Sequence, residues 1–127
     1  MVKAADKQQR LTVLLVEDDP SVRRSLQLVL QGGGFLVRGY ATGTALLADP
    51  NIGDACAVVA DYRLPDSDGV RLLENLRKAG FRGRAVLVTG FGSPELEVSA
   101  RAAGYARVLE KPLADRVLRE TMAGLFS

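Results

Sequence analysis

Five short apolar runs recur along this chain of 127 residues, and a segment with helical spacing follows each of them. The runs are mostly continuous in Val, Leu and Ala rather than alternating with polar residues, which is typical of strands buried on both faces. The regular alternation of such strands with helices predicts an α/β domain, in which helices cover both faces of a parallel sheet. The predicted strands are 11–16, 35–40, 55–60, 84–89 and 105–109.

Residues that start or stop helices separate these strands. Pro20, and Ser93 followed by Pro94, suit the first turn of a helix, whereas Ser67 or Asp68 can cap another. Glycine suits the position just after a helix, and an Asp-Pro pair is a second kind of stop. The predicted helices therefore run from Pro20 to the glycines at 32–34, over 42–48, from the cap at 67 or 68 to Gly80, from Pro94 to near Gly104, and from Pro112 to about Leu125.

Length and charge set further limits. A chain of this length suits one domain, with residues 1–9 as a polar leader and 10–127 as the folded part. Seventeen basic and fifteen acidic residues give a formal net charge of +2. Because the cations are scattered along the sequence, we expect no direct contact with nucleic acid. The sequence has neither a membrane-spanning stretch nor the apolar core of a signal peptide, which predicts a cytoplasmic protein without membrane contact.

The absence of histidine excludes several kinds of catalytic site. Zinc sites built on His, and Ser–His or Cys–His nucleophilic pairs, cannot form within this chain. Its single cysteine, Cys56, lies in an apolar run, which predicts a small core residue rather than a reactive thiol.

Polar side chains stand where the predicted strands end. Glu17 and Asp18 follow the first strand, and Asp61 follows the third. Thr89 closes the fourth strand, and Lys111 comes shortly after the fifth. Ligands of open α/β sheets bind at the carboxyl ends of the strands, and the flavodoxin-like order 2-1-3-4-5 makes the first and third strands neighbours. The converging carboxylates would suit Mg²⁺, and the added hydroxyl and ammonium predict a phosphoryl-transfer site with a carboxylate nucleophile.

Turn chemistry is the alternative explanation for these acids. A single acid after a strand is commonly a turn residue or a helix N-cap, and we assign Asp19, which precedes Pro20, to capping. The combination of carboxylates, hydroxyl and lysine at four strand ends is much harder to explain in this way.

The motifs "VEDD", "DYRLPDSDG", "LVTG" and "EKP" occur in this order along the chain. Together they resemble the receiver domain of two-component response regulators, over about residues 10–125. The combination is a highly specific signal, whereas "VEDD" alone would be a weak one. The resemblance implies that Asp61 accepts a phosphoryl group from the phosphohistidine of a sensor histidine kinase or a histidine phosphotransfer protein. It also implies that Glu17, Asp18, Asp61 and the backbone carbonyl of Arg63 bind Mg²⁺.

The remaining family positions are matched except for one. The resemblance implies that Thr89 and Lys111 stabilise the phosphoryl group, that Thr89 moves towards it on activation, and that the peptide bond before Pro112 is cis. An aromatic switch residue usually lies three residues before the lysine in this family, but this chain has Val108 there. Tyr105 lies outside that position, and we expect it to pack in a strand or loop.

The resemblance implies a signalling phospho-acceptor rather than an enzyme. Its output would be phosphorylation-dependent contact with a downstream protein that the sequence does not identify, and a homodimer is compatible with this function. We expect no output domain in this chain, which would be a stand-alone regulator or one receiver of a larger protein.

Two other functions compete with this one. A phosphorylation-independent pseudo-receiver module would be expected to lack site residues. A Mg²⁺-dependent phosphohydrolase would need a second acid two residues after its nucleophile, where this chain has Arg63, and a substrate-covering cap.

Overall fold

A parallel sheet of five strands forms the centre of the computed structural model, which describes residues 11–126. The order across the sheet is β2-β1-β3-β4-β5, and all neighbouring strands are parallel. This order confirms the predicted flavodoxin-like, doubly wound (βα)5 fold. The strands are β1 (Thr12–Val16), β2 (Leu36–Tyr40), β3 (Ala57–Asp61), β4 (Arg84–Thr89) and β5 (Arg107–Glu110).

Five α-helices connect and cover the strands in the described part of the chain. They are α1 (Pro20–Gly32), α2 (Gly43–Leu47), α3 (Gly69–Lys78), α4 (Pro94–Ala103) and α5 (Asp115–Leu125). A 3-10 turn at Ile52–Asp54 precedes β3, and two-residue strands, Arg63–Leu64 and Ser67–Asp68, pair antiparallel before α3. The 3-10 turn and the small ribbon were not predicted, because elements this short leave no periodicity in the sequence.

Two apolar clusters hold the helices against the sheet. Val13 and Leu15 of β1 pack with residues of α1 and α5, including Leu118. Leu14, which points to the other face, packs with residues of α2, α3 and α4, including Leu72. Burial on both faces explains why the strand sequences are nearly continuous in apolar residues.

The ends of several strands differ from the prediction. The third strand was predicted over 55–60, but Ala55 donates its N–H to Ile52 of the 3-10 turn, and the strand extends to Asp61 instead. The fifth was predicted over 105–109, but the N–H of Tyr105 donates to Ala100 at the end of α4. In each case a local helical hydrogen bond displaces the start of the strand.

Side-chain caps fix the helix starts that border the candidate site. Asp19 accepts hydrogen bonds from the N–H groups of Ser21 and Val22 at 2.9 and 3.2 Å, which confirms its predicted capping role. Of the two candidate caps for α3, Asp68 serves, since it accepts the N–H of Arg71 at 2.9 Å.

No helix within residues 11–126 combines the length and the apolar character needed to cross a membrane. The predicted polar leader, residues 1–9, lies outside the described residues. The domain boundary placed at residue 10 therefore stays a prediction.

Gly69 allows the start of α3 to lie directly against the sheet. A Cβ at this position would lie 2.5 Å from Leu87 Cδ1 and 3.0 Å from the carbonyl oxygen of Asp61. We therefore expect Gly69→Ala to lower the free energy of unfolding by about 1–3 kcal/mol through overpacking. Urea denaturation measures this loss.

Gly32→Ala is the matched control, because a Cβ on this last residue of α1 would meet no atom within 4 Å. Its effect should be neutral or stabilising by up to about 1 kcal/mol. Equal stability of the two variants would contradict the close approach at Gly69.

Candidate functional site

Asp61 is the last residue of β3 and is held from two sides. Its side chain is 8% exposed, in a strand whose five residues are all buried. Oδ1 accepts the backbone N–H of Arg63 at 3.3 Å, and Oδ2 accepts a hydrogen bond from Lys111 Nζ at 2.9 Å. The carboxylate therefore reaches the carboxyl edge of the sheet in a fixed orientation.

Lys111 joins this carboxylate to a second one. Its Nζ lies 2.8 Å from Oε1 of Glu17, which follows β1 and is only 2% exposed. The other carboxylate oxygen of Glu17 accepts the N–H of Asp19 at 3.0 Å. Two carboxylates from neighbouring strands thus share one ammonium group, which offsets their mutual repulsion.

The ionisation of this group reflects both burial and charge. Burial raises the pKa of Glu17 above its usual 4.5, and the negative charge of Asp61 adds to the rise, although the hydrogen bonds from Lys111 and Asp19 oppose it. Burial alone would lower the pKa of Lys111, but its bonds to the two carboxylates outweigh burial and raise that pKa above 10.5. Lys111 is therefore a cation at neutral pH, held between the carboxyl groups of Glu17 and Asp61.

Asp18 adds a third carboxylate at the exposed rim. One oxygen from each of Glu17, Asp18 and Asp61 lies within 4.8 Å of the other two. Hard divalent cations such as Mg²⁺ bind one or two carboxylates and keep several waters. A cluster of two buried carboxylates and an exposed one, Asp18, fits such an ion. Arg63, the fourth predicted ligand, adjoins the cluster through its N–H bond to Asp61.

Thr89 ends β4 beside the acidic cluster. It is buried, and the residue before it, Val88, is the β4 partner of Asp61 in the sheet. Its Oγ1 accepts the N–H of Phe91 at 3.1 Å, which leaves the hydroxyl proton to be donated elsewhere. The backbone N–H of Lys111 donates to the carbonyl of Thr89 at 2.8 Å, so the two predicted phosphoryl-binding residues are tied together.

The segment around Lys111 contains the remaining predicted positions. The peptide bond between Lys111 and Pro112 is cis. Val108 is partly buried and packs against the cluster under α2, α3 and α4. In the described chain no aromatic side chain therefore stands at the family's switch position.

Tyr105 makes a contact that sequence reasoning missed. The side chain is buried, as expected, and its hydroxyl donates to the carbonyl oxygen of Gly69 at 2.7 Å. Burial raises the pKa of Tyr105 far above its ordinary value, so the hydroxyl keeps its proton. Since the N–H of Gly69 donates to Tyr62 at 2.7 Å, Tyr105 is connected to the residue after Asp61. The sequence gives no signal for a bond that spans 36 residues.

Arg63 and Phe91 form a second unpredicted contact. The guanidinium carbon lies 5.1 Å from the ring centroid, although the Phe91 side chain is 75% exposed. This cation–π contact joins the loop after β3 to the loop after β4. A signal exists in the sequence, since each residue stands two positions after a predicted site residue, Asp61 or Thr89.

Comparison with known proteins identifies the family. The chain matches the family model of the response regulator receiver domain over residues 13–123. It is 36% identical over 112 residues to the transcriptional regulatory protein FixJ of Rhizobium meliloti (strain 1021), a match that covers 87% of this chain and 54% of FixJ. It is thus one of the α/β receiver proteins, and it belongs to the response regulator receiver domain family.

Two solved structures agree with this assignment. A CheY-like response regulator receiver domain protein from Methanospirillum hungatei JF-1 is 30% identical, with a TM-score of 0.82 over 91% of this chain and 93% of that chain. The structure of FixJ-N is 35% identical, with a TM-score of 0.78 over 91% and 92% of the two chains. The match covers more than nine-tenths of each of these two solved chains. In contrast, the chain spans about half the length of full FixJ.

Loss of the shared ammonium should expose the repulsion between Glu17 and Asp61. We expect Lys111→Met to lower the free energy of unfolding by about 1–3 kcal/mol at neutral pH without divalent cations, less than for a fully buried pair because Lys111 is 28% exposed. The deficit should shrink as the pH falls through the raised pKa of Glu17, since protonated Glu17 no longer repels Asp61.

Urea denaturation across this pH range measures the effect. Lys78→Met, at an exposed lysine in the last turn of α3, is the control and should change stability by less than about 0.5 kcal/mol. A pH-independent deficit would show that lost packing, not charge, causes it.

Proposed function

We propose that this chain accepts a phosphoryl group on Asp61, with Mg²⁺, from the phosphohistidine of a sensor histidine kinase or a histidine phosphotransfer protein. The observation that carries the proposal is the position of the Asp61 carboxylate. It lies at the carboxyl edge of the sheet, 2.9 Å from Lys111 Nζ and within 4.8 Å of oxygens from Glu17 and Asp18. Nucleophile, cation and acidic cluster are the components that phosphoryl transfer to a carboxylate needs.

The residues of the chain have separate parts in this reaction. An oxygen of Asp61 attacks phosphorus, the P–N bond to the donor imidazole breaks, and the product is an acyl phosphate on Asp61. Lys111, kept charged by its carboxylate neighbours, stabilises the phosphoryl oxygens. The free hydroxyl proton of Thr89 is available to donate to one of these oxygens. The N–H of Arg63 holds Oδ1 of Asp61 in place.

The acidic cluster supports a role for Mg²⁺. Glu17, Asp18 and Asp61, together with the backbone carbonyl of Arg63, would hold the ion. Its charge would offset that of the carboxylates and of the incoming phosphoryl group.

We propose that the signal leaves as phosphorylation-dependent contact with a downstream protein, in the cytoplasm and without membrane contact. FixJ is a transcriptional regulatory protein, and this chain spans about half of its length. The chain would act either alone or as one receiver of a longer regulator, and a homodimer is compatible with both. It would be a signalling phospho-acceptor and not an enzyme acting on a separate substrate.

Phosphorylation can be tested directly by mass. After incubation with a small phosphodonor and Mg²⁺, the wild-type protein should gain the mass of one phosphoryl group, and Asp61→Asn should gain none. Asp54→Asn, which removes an exposed acid just before β3, is the control and should react like the wild type. No gain with any donor, together with no Mg²⁺ binding, would favour a phosphorylation-independent interaction module instead.

Binding of Mg²⁺ should relieve the repulsion within the acidic cluster. Millimolar Mg²⁺ should raise the melting temperature, with a gain of about 1.4 kcal/mol at tenfold excess over Kd. Asp18→Ala should abolish this shift and the phosphorylation of Asp61, and it should raise the metal-free stability because one repelling charge is gone.

Thermal melts with and without Mg²⁺ measure these changes, with Asp54→Ala as the control that keeps the Mg²⁺ shift. A melting temperature that ignores Mg²⁺ would overturn this explanation of the acidic cluster.

A further inference from the structure

Five arginines lie at the end of the sheet opposite Asp61. Arg84 and Arg107 begin β4 and β5, Arg77 and Arg101 lie in the last turns of α3 and α4, and Arg82 lies between α3 and β4. In a parallel α/β sheet the starts of the strands and the ends of the helices share one edge. We call this group, Arg77, Arg82, Arg84, Arg101 and Arg107, the arginine edge.

Backbone carbonyls hold four of these guanidinium groups in two pairs. Nη1 of Arg77 donates to the carbonyl oxygen of Gly83 at 2.8 Å and, at 3.3 Å, to that of Phe81, which also accepts Nη1 of Arg82 at 3.4 Å. Nη1 of Arg101 and Nη1 of Arg107 both donate to that of Ala106, at 3.3 and 2.9 Å. Like charges are therefore brought together in fixed positions.

The two pairs belong to one surface. A Cβ on Gly104, two residues before the carbonyl that holds the second pair, would lie 3.7 Å from Nη2 of Arg77. Arg107 pairs with Val86 in the sheet, and Arg84 lies two residues before Val86, so both are on the face that α1 and α5 cover. Their link to the helices of the other face is the carbonyl of Ala106, which Arg107 shares with Arg101 of α4.

Little negative charge offsets these cations. Among the described residues only Arg101 has a carboxylate partner, Glu97, at 3.4 Å. Three of these arginines can be explained by the stabilisation of helix ends. Arg77 and Arg101 place positive charge in a last turn, and Arg82 donates to the carbonyl of Arg77 in the last turn of α3 at 3.1 Å.

Helix capping does not explain the whole group. Arg84 and Arg107 belong to strands, and a single carbonyl does not require two guanidinium groups that repel each other. An anion placed among the guanidinium groups would offset their mutual repulsion. A cation would do the same for the carboxylates of the acidic cluster at the other edge.

We propose that the arginine edge binds the phosphate backbone of nucleic acid without sequence preference. Guanidinium groups match phosphate oxygens in geometry and charge, and their backbone bonds hold them in place before binding. The edge presents strand starts and helix ends rather than an element that could enter a groove, so it would contact phosphates and not bases.

The composition of the surface favours nucleic acid over an acidic protein. Protein interfaces have apolar centres from which charged residues are depleted, whereas interfaces with DNA are polar and strongly positive. Exposed Leu11 and Leu36 lie at the same end of the sheet, where β1 and β2 begin, but β3 separates these strands from β4 and β5, which carry Arg84 and Arg107.

This proposal differs from the expectation of no direct contact with nucleic acid, which was drawn from the separation of these cations along the sequence. It does not depend on the phosphorylation proposed for Asp61 at the opposite edge.

Fluorescence anisotropy with a labelled duplex of about 20 base pairs tests the proposal over a salt series that starts at about 20 mM. The logarithm of the binding constant should fall linearly with the logarithm of salt concentration, with a slope of about −3 to −5 for contacts to four or five phosphates. Arg82→Gln/Arg107→Gln should weaken binding about tenfold or more and reduce the slope by about 2. A duplex of shuffled sequence should bind equally well.

Arg24→Gln/Arg71→Gln changes the net charge equally at exposed arginines near the starts of α1 and α3, at the opposite end of the sheet, and should bind within about twofold of the wild type. Arg84, whose guanidinium makes no hydrogen bond to another described residue, provides a variant that leaves the paired arginines unchanged. Arg84→Gln should reduce the slope by about 1. Thermal melting verifies that each variant is folded.

Three results would each overturn the proposal. The first is no binding to the duplex at the lowest salt concentration. The second is an equal loss in the two double variants, which would show that net charge alone matters. The third is binding of labelled polyglutamate with the same affinity and salt slope as the duplex, which would assign the surface to an acidic protein.

Discussion

The architecture of the site depends on the contacts that the ammonium group of Lys111 makes with two carboxylates. It joins Glu17 and Asp61, which lie 94 and 50 residues away along the chain, at 2.8 and 2.9 Å. The parallel sheet, in which β1 and β3 are adjacent, brings these groups to one edge. Three carboxyl groups, of Glu17, Asp18 and Asp61, face this one ammonium, and together they form a cluster that could hold a metal ion.

The fold could be predicted from the sequence because its determinants are local. Continuous apolar runs mark strands buried on both faces, and the glycines, prolines and capping acids between them mark the helices. The strand ends were less predictable. Ala55 and Tyr105 look like strand residues in composition, but each completes a hydrogen bond of the preceding helical turn. The competition between two backbone partners is decided by the three-dimensional fold and is not visible in a single sequence.

The candidate site also combines features that the local sequence determines with features that only the three-dimensional fold determines. Its charged residues directly follow apolar runs, so their convergence could be predicted once the strand order was inferred. The contacts that support them could not. The bond from Tyr105 to Gly69 and the stacking of Arg63 on Phe91 join segments that are distant in sequence. The paired arginines are a similar case, since they look scattered along the chain and meet only because helix ends and strand starts coincide.

The acidic cluster at one end of the strands and the arginine edge at the other separate local charge of opposite sign along the strand axis. In the field of a charged partner, such a molecule experiences a torque before any contact forms, so encounters are biased in orientation as well as in frequency. Added salt shortens the distance over which this torque acts.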